Sequence, residues 1–199
     1  MANKLAIISN ESIFQNNGIF FCDNIDFKSI PDGLSNEFDV SVISRKSKKK
    51  GFHQINLKKI KPASNIFTYL FNIFRTFENQ KKNYLLISIT PYTFFAYLIL
   101  FILRRKIFVY LRSNGYEEYG AILGFFGKCI YHIMYTVVTF KSEIITCQKN
   151  LVKKKSELVF PSELDDTWIK NTVKPKLNKP KLLYVGRARV EKGIFSLIN

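Results

Sequence analysis

The stretch that decides the fold is residues 84–103, YLLISITPYTFFAYLILFIL, which contain no charged residue. A run of this length matches a membrane-spanning helix. It also divides in the middle: residues 85–90 have the aliphatic and β-branched composition of a buried strand, Thr90 can cap a helix, and Pro91 suits a first helical turn. Basic residues flank both ends, so no charge asymmetry sets an orientation in a membrane. The pattern favours a strand followed by a helix over a single span.

Apolar runs on both sides of this stretch continue the alternation of strands and helices. Residues 10–18 are predicted to be a polar loop after the first strand. Strands that alternate with helices at this spacing are typical of an α/β fold with a doubly wound, parallel, Rossmann-like sheet. Further strands are predicted at residues 4–9, 39–44, 53–57, 106–111, 143–147 and 158–160, and helices at residues 65–83 and 119–140.

The composition restricts the class of protein. The 199 residues include 31 Lys and Arg against 15 Asp and Glu, a net charge of +16 that implies an anionic partner. Three cysteines without a CxxC spacing and two distant histidines predict neither a disulfide framework nor a metal site, and no cofactor is expected. The apolar run at the start is too short for a signal peptide, so we expect a cytoplasmic protein.

Residues 45–61, RKSKKKGFHQINLKKIK, carry eight Lys and Arg and no acid. We call this segment the basic patch. It can be a solvated loop, a nucleic-acid-binding surface or a contact with an anionic membrane. No nucleic-acid-binding motif accompanies it, so nucleic acid is not expected as a partner. A membrane contact would place the protein peripherally at the inner face of the plasma membrane.

The composition changes after Trp168, where a Lys- and Pro-rich, acid-free stretch begins. We predict a first domain over residues 1–168, a linker over residues 169–180 and the first strand and helix start of a second domain over residues 181–199. One strand and one helical turn cannot bury their own apolar faces. The second domain is therefore expected to be incomplete in this sequence.

The segment 181–199, KLLYVGRARVEKGIFSLIN, contains a candidate anion site. A buried strand runs into Gly186, whose backbone can turn, and a helix is predicted to begin near Lys192. Backbone N–H groups and the helix dipole then point to the same place as Arg187 and Lys192, which suits a phosphate. The alternative is a solvated basic loop.

Val185-Gly186-Arg187 followed by Glu191-Lys192-Gly193 resembles the VGR-x-x-x-EKG motif that opens the second domain of family-four, GT-B fold glycosyltransferases. The resemblance implies that Gly186, Arg187 and Lys192 bind the diphosphate of a nucleotide-sugar donor. More loosely, residues 111–120, LRSNGYEEYG, and residues 160–168, FPSELDDTW, are also similar to segments of that family.

A second group of candidate residues would lie in the acceptor cleft. Arg112, Asn114 and Glu118 follow a predicted strand, where open α/β sheets bind ligands. A helix start, with Asn114 as cap and the acidic residues favouring the dipole, explains them equally well. The family's Gly-rich loop after the first strand is replaced by Asn17-Gly18, so Gly18 is the counterpart here. Its usual His after the later strand and its carboxylate pair are not found in this sequence.

The resemblance implies a metal-independent, retaining glycosyltransferase. Its partners would be a nucleotide-sugar donor and a surface glycan or glycolipid acceptor, and no catalytic residue is assigned. The 199-residue chain by itself is expected to be inactive because most of the donor domain is missing. The alternative function is a basic, membrane-associated or nucleic-acid-binding α/β protein without catalysis.

A comparison of two neighbouring arginines tests the donor site, in a form of the protein with a complete second domain. Arg187→Ala should lower kcat/KM about a hundredfold or more, because a charge-assisted contact to a developing charge is lost. Arg189→Ala, at a position that does not match the motif, should cost far less. Equal losses in steady-state kinetics would show that only general positive charge matters.

Overall fold

The computed structural model describes residues 3–77, 82–152, 156–160 and 170. Apart from Lys170, the predicted linker and residues 181–199 lie outside the described residues, and with them Gly186, Arg187 and Lys192. The described part forms an α/β structure with a mostly parallel, mixed open sheet of nine strands and four α-helices. The strands are β1 Asn3–Asn16, β2 Ile19–Cys22, β3 Phe38–Lys46, β4 His53–Ile55, β5 Ile60–Ala63, β6 Lys82–Ile87, β7 Ile107–Leu111, β8 Glu143–Thr146 and β9 Ser156–Leu158; the helices are α1 Ile25–Leu34, α2 Ile66–Phe74, α3 Pro91–Ile102 and α4 Gly115–Thr139.

The first strand lies at the centre of the sheet. β1 pairs in parallel with β3 on one side and with β6 on the other, and Ala6, Ile7 and Ile8 have no solvent exposure. An apolar run without alternation is the pattern of a strand buried on both faces. The parallel strands lie in the order β5-β3-β1-β6-β7-β8-β9. Along the chain, β3 and β5 are therefore added on one side of β1, and β6 to β9 are then added on the other.

The segment after the first strand differs from its prediction as a loop. β1 continues to Asn16 and forms a hairpin with β2 through Asn17 and Gly18, whose φ angles are 46° and 80°. Positive φ at both turn positions is the two-residue hairpin geometry that Asn-Gly favours. Because β2 pairs antiparallel with β1 and with β4, the sheet is mixed, and the parallel sheet predicted from the sequence is confirmed only for the other strands.

Residues 84–103 form two elements, as the sequence pattern favoured. The strand β6 ends at Ile87, and α3 starts with Pro91 in its first turn. Thr90 and Thr93 form a reciprocal capping box, which satisfies backbone groups at the helix start. The helix then packs Ala96, Tyr97 and Leu100 against the sheet.

The helices cover both faces of the sheet. Phe27 of α1 packs into the core on one face, whereas α2, α3 and α4 pack on the other, with Tyr69, Tyr97 and Tyr131 among their buried side chains. These tyrosines are among the largest fully buried groups. The arrangement is compatible with a Rossmann-like fold, and the α/β class predicted from the sequence is confirmed.

Three elements have no counterpart in the sequence prediction: β2, α1 and β5. α1 contains Pro31 and Gly33, which both lower helix propensity, and it forms because Phe27 and Pro31 bury their side chains. β5 contains Pro62, which is tolerated because β5 is an edge strand that pairs only with β3. Two predicted helices also differ in length: α2 ends earlier, at Phe74, and α4 begins earlier, at Gly115.

The helix α4 has an unusually exposed apolar surface. By length and composition alone it is able to cross a membrane. Gly124 has non-helical φ and ψ angles, however, and after this break residues 125–139 extend only about 22 Å at about 1.5 Å per residue. That is shorter than the roughly 30 Å of a bilayer core. Tyr131, Met134, Tyr135 and Val138 pack on the sheet, while the opposite face projects Ile122, Leu123, Phe125, Phe126, Ile130 and Ile133 into solvent.

Gly51 and Gly33, neither of which has a positive φ angle, provide a test of the packing around β2 and its control. A Cβ on Gly51 would lie 2.4 Å from the backbone carbon of Cys22, whereas a Cβ on Gly33 would contact nothing within 4 Å. Gly51→Ala should lower the free energy of unfolding by about 1–3 kcal/mol because backbone must shift. Gly33→Ala, in α1, should raise it by about 0.5–1 kcal/mol. Chemical denaturation measures both; the same sign for both would contradict this packing.

Candidate functional site

A polar crevice lies at the carboxyl edge of the sheet, between the ends of β1 and β6. Here the order of strands reverses, and ligands bind at this position in open α/β sheets. The crevice has a volume of about 260 Å³. Its lining residues come from the middle of β1, from the ends of β6 and β7 with the segments that follow them, and from the start of α4. They are Ser9, Asn10, Glu11, Ile87, Ser88, Thr90, Arg112, Ser113 and Glu118.

An irregularity in β1 supplies one wall of the crevice. The register between β1 and β3 shifts between Ile8 and Ser12, and the three residues in between all line the crevice. Irregularities of this kind redirect side chains next to functional sites. The hydroxyl of buried Tyr69, in α2, donates to the carbonyl of Ser9 at 2.9 Å. This hydrogen bond holds the backbone of β1 at the irregularity. Burial raises the pKa of Tyr69 far above its usual value, so this phenol remains a donor.

The opposite wall is organised by Arg112, which follows β7. Its guanidinium lies 3.3 Å from a carboxylate oxygen of Glu11 and 3.5 Å from one of Asp26, and its side chain is only 19% exposed. The two acids come from β1 and from the first turn of α1. One cation therefore connects three elements that are distant in sequence.

Asn24 extends this network to the start of α1. Its Nδ2 donates to Glu11 at 2.8 Å, and its Oδ1 accepts from the backbone N–H of Phe27 as the helix cap. Arg112 Nη1 also reaches Asn24 Oδ1, at 3.5 Å. The extended hairpin arm of β1 is thus held against the carboxyl edge by hydrogen bonds as well as by the sheet.

The site retains polar groups without partners. Asn10 Oδ1 and Arg112 Nε are buried and make no hydrogen bond within the described part of the chain. Buried polar atoms are nearly always paired in folded proteins, so these two suggest room for ligand or water contacts. Ser88 also has a φ of 62°, a strained conformation for a non-glycine residue that is typical of functional sites.

The structure brings some predicted site residues together and separates others. Arg112 and Glu118 both line the crevice. Asn114 does not; its Oδ1 accepts from the N–H of Tyr116 at 3.1 Å, so it acts as the cap of α4, the alternative already weighed. Gly18 lies at the tip of the β1–β2 hairpin and is also not among the lining residues.

Among the residues of the site that the sequence reasoning missed are Glu11, Asn24, Asp26 and Ser88. Glu11 falls in the segment predicted to be a loop, and Asn24 and Asp26 start the helix that was not predicted. A hairpin prediction from Asn17-Gly18 would have signalled that β1 continues. Nothing in the sequence signals the pairing with Arg112, which depends on strand order.

The basic patch is divided between the two edges of the sheet. Lys48, Lys49 and Lys50 follow the carboxyl end of β3. Lys58, Lys59 and Lys61 instead line a cavity at the opposite, amino edge, together with Lys4 and Asp39 near the starts of β1 and β3. These six cations of the basic patch therefore form two separate groups.

Among the described residues, no group of three or more His, Cys, Asp or Glu side chains is arranged to hold a metal ion. Comparison with protein-family models, with curated proteins and with solved structures found no match. The fold and the crevice define the class to which this chain belongs: α/β proteins with an open, mixed sheet and a polar crevice at its carboxyl edge.

A double-mutant cycle tests whether Arg112 and Glu11 organise the crevice. Both side chains are less than one-third exposed, so their coupling should be about 1 kcal/mol in the free energy of unfolding. The control is Lys106 and Glu143, which lie 3.2 Å apart but are both more than half exposed. Their coupling should stay below about 0.5 kcal/mol. Denaturation of the single and double Gln variants measures both coupling energies. Equal coupling energies for the two pairs would show that Arg112 does not organise the crevice.

Proposed function

We propose that this chain is part of a glycosyltransferase that transfers a sugar from a nucleotide-sugar donor to a glycan or glycolipid acceptor. In this proposal the described sheet is a Rossmann-like, GT-B-type acceptor domain. The observation that carries the proposal is the polar crevice at the strand reversal, on the same chain as the VGR-x-x-x-EKG motif. Donor binding is assigned to Gly186, Arg187 and Lys192 and acceptor binding to the crevice.

The chemistry of the crevice supports a polyhydroxylated ligand. Glu11 and Glu118 are acceptors, Arg112 is a donor, and the hydroxyls of Ser88 and Ser113 can do either. A sugar hydroxyl is itself both donor and acceptor, so a mixed lining of this kind satisfies it. The volume of about 260 Å³ lies just below the range of roughly 300–1,000 Å³ that holds drug-sized ligands, which suits a single sugar ring.

The exposed face of α4 supports an acceptor at a membrane. Phe125 and Phe126 are 75% and 76% exposed, and Ile122 and Ile133 project on the same helix. Residues 119–142 contain no acid and include Lys128 and Lys141, so the face is apolar and weakly cationic. Such a surface fits the interface of an anionic bilayer. We therefore propose a cytoplasmic protein that associates peripherally with the inner face of the plasma membrane.

A matched pair of glutamates tests the acceptor site. Glu118 lines the crevice, whereas its neighbour Glu117 bonds to Asn114 and does not line it. Glu118→Ala should weaken binding of the acceptor glycan at least about tenfold, since a sugar hydroxyl in the crevice loses a charged acceptor. Glu117→Ala should have little effect. Binding of a panel of glycans and glycolipids, followed by NMR, makes the comparison.

Binding assays on the unmodified protein test the competing function, which is nucleic-acid binding. If no glycan binds and no nucleotide-sugar is consumed, while random DNA or RNA binds with a steep dependence on salt, the protein is a nucleic-acid-binding protein and the transferase proposal fails. Equal effects of Glu118→Ala and Glu117→Ala would show that the glycan does not bind in the crevice.

Vesicle sedimentation tests the role of α4. The double variant Phe125→Ser/Phe126→Ser should weaken binding to anionic vesicles at least about tenfold, because two exposed aromatic side chains leave the interface. Phe52→Ser is the control, since Phe52 is 88% exposed but lies in the basic patch. A larger loss in the Phe52 variant would assign the membrane contact to the basic patch instead of α4.

A further inference from the structure

A second polar cavity lies at the amino edge of the sheet, opposite the crevice. Its volume is about 430 Å³. Six cationic side chains and one carboxylate line it. We call it the amino-edge pocket, and its charged residues are Lys4, Lys58, Lys59, Lys61, Arg75, Lys82 and Asp39.

Strand register creates this concentration of charge. Lys4 in β1 lies directly beside Asp39 of β3 on one side and beside Lys82 of β6 on the other. Register partners on neighbouring strands project to the same face of a sheet. β5 then brings Lys61 to the register position next to Ile43, one strand further out. The cations thus come from three strands, β1, β5 and β6, from the segment before β5 and from the end of α2.

The single carboxylate of the pocket is already engaged. Asp39 Oδ1 lies 2.5 Å from the Nζ of Lys59, and this hydrogen bond lowers the pKa of Asp39. Arg75 lies over the ring of Phe71. Within the described residues, no ion pair joins Lys4, Lys61 or Lys82 to a carboxylate.

Repulsion among these cations lowers the stability of the fold. Like charges on directly paired strand positions repel each other. Lys82 is partly buried, and its pKa is lowered by that burial and by the charge of Lys61. Apolar residues at these edge positions would avoid the repulsion. A multiply charged anion in the cavity would compensate it.

We propose that the amino-edge pocket binds a phosphate-bearing anion of at least two negative charges, such as a diphosphate or a phosphomonoester. Lysine ammonium groups are compact point charges that suit phosphate oxygens from several directions. The cations surround one cavity and do not form a stripe, so the pocket fits a compact anion better than a nucleic-acid backbone. The site is separate from the crevice, which lies at the carboxyl edge of the sheet.

Calorimetry with inorganic pyrophosphate at fixed ionic strength tests the pocket. Lys61→Gln/Lys82→Gln should raise the Kd at least about tenfold. The control Lys48→Gln/Lys49→Gln removes the same amount of charge from the part of the basic patch at the opposite, carboxyl edge of the sheet. It should change the Kd less than about twofold, because salt screens charges that lie far from the pocket. Equal losses in both variants, or no binding to the unmodified protein, would overturn the proposal.

The thermal stability of the variants distinguishes a lost site from a lost fold. Because the substitutions remove repulsion, the melting temperature of Lys61→Gln/Lys82→Gln should equal or exceed that of the unmodified protein. Pyrophosphate should raise the melting temperature of the unmodified protein and of the control but not of this variant. If pyrophosphate raised the melting temperature of Lys61→Gln/Lys82→Gln as much as that of the control, the assignment of the anion site to the amino-edge pocket would be contradicted.

A competition experiment identifies the source of the phosphate. Vesicles of phosphatidylcholine with phosphatidic acid present the group on a lipid, and pyrophosphate presents it in solution. If pyrophosphate releases the protein from these vesicles and the pocket variant fails to bind them, the site takes a lipid headgroup. If pyrophosphate binds in the pocket and vesicle binding is unaffected by the variant, the site takes a soluble phosphate.

Discussion

The structure depends on the burial of β1 between two parallel neighbours. With β3 on one side and β6 on the other, Ala6, Ile7 and Ile8 lose all contact with solvent, and both faces of the strand need an apolar cover. The chain provides that cover by placing α1 on one face and α2 to α4 on the other. The same arrangement requires the strand order to reverse at β1, and the reversal opens the crevice.

The two edges of the sheet differ in charge because of this topology. At the carboxyl edge, the extended arm of β1 places Glu11 next to Arg112, and the start of α1 adds Asp26, so cation and anions balance within a network. At the amino edge, lysines from several strands converge around one engaged carboxylate. Within the described residues, the amino-edge pocket therefore gathers six cations around one carboxylate, whereas Arg112 in the crevice lies between two.

The helix layer shows a similar asymmetry. α4 uses Tyr131, Tyr135 and Val138 to cover the sheet. Before the break at Gly124, Tyr116 and Tyr119 pack back against Tyr131. Large exposed apolar patches on a soluble domain generally mark an interaction surface. The helix that completes the core is also the one that presents Phe125 and Phe126 to the outside.

The sequence by itself determined the α/β class, most strands and the division of residues 84–103, because apolar periodicity, Thr90 and Pro91 act locally. It also predicted that Arg112 and Glu118 follow a strand at the carboxyl edge of the sheet, where both line the crevice. Only the tertiary structure decided α1 and β5, whose Pro and Gly residues oppose their local structure until burial or an edge position compensates. The partners of Arg112 and the pocket around Lys4 and Lys82 were likewise decided by strand order and register, which join residues far apart in the chain and leave no local pattern in the sequence.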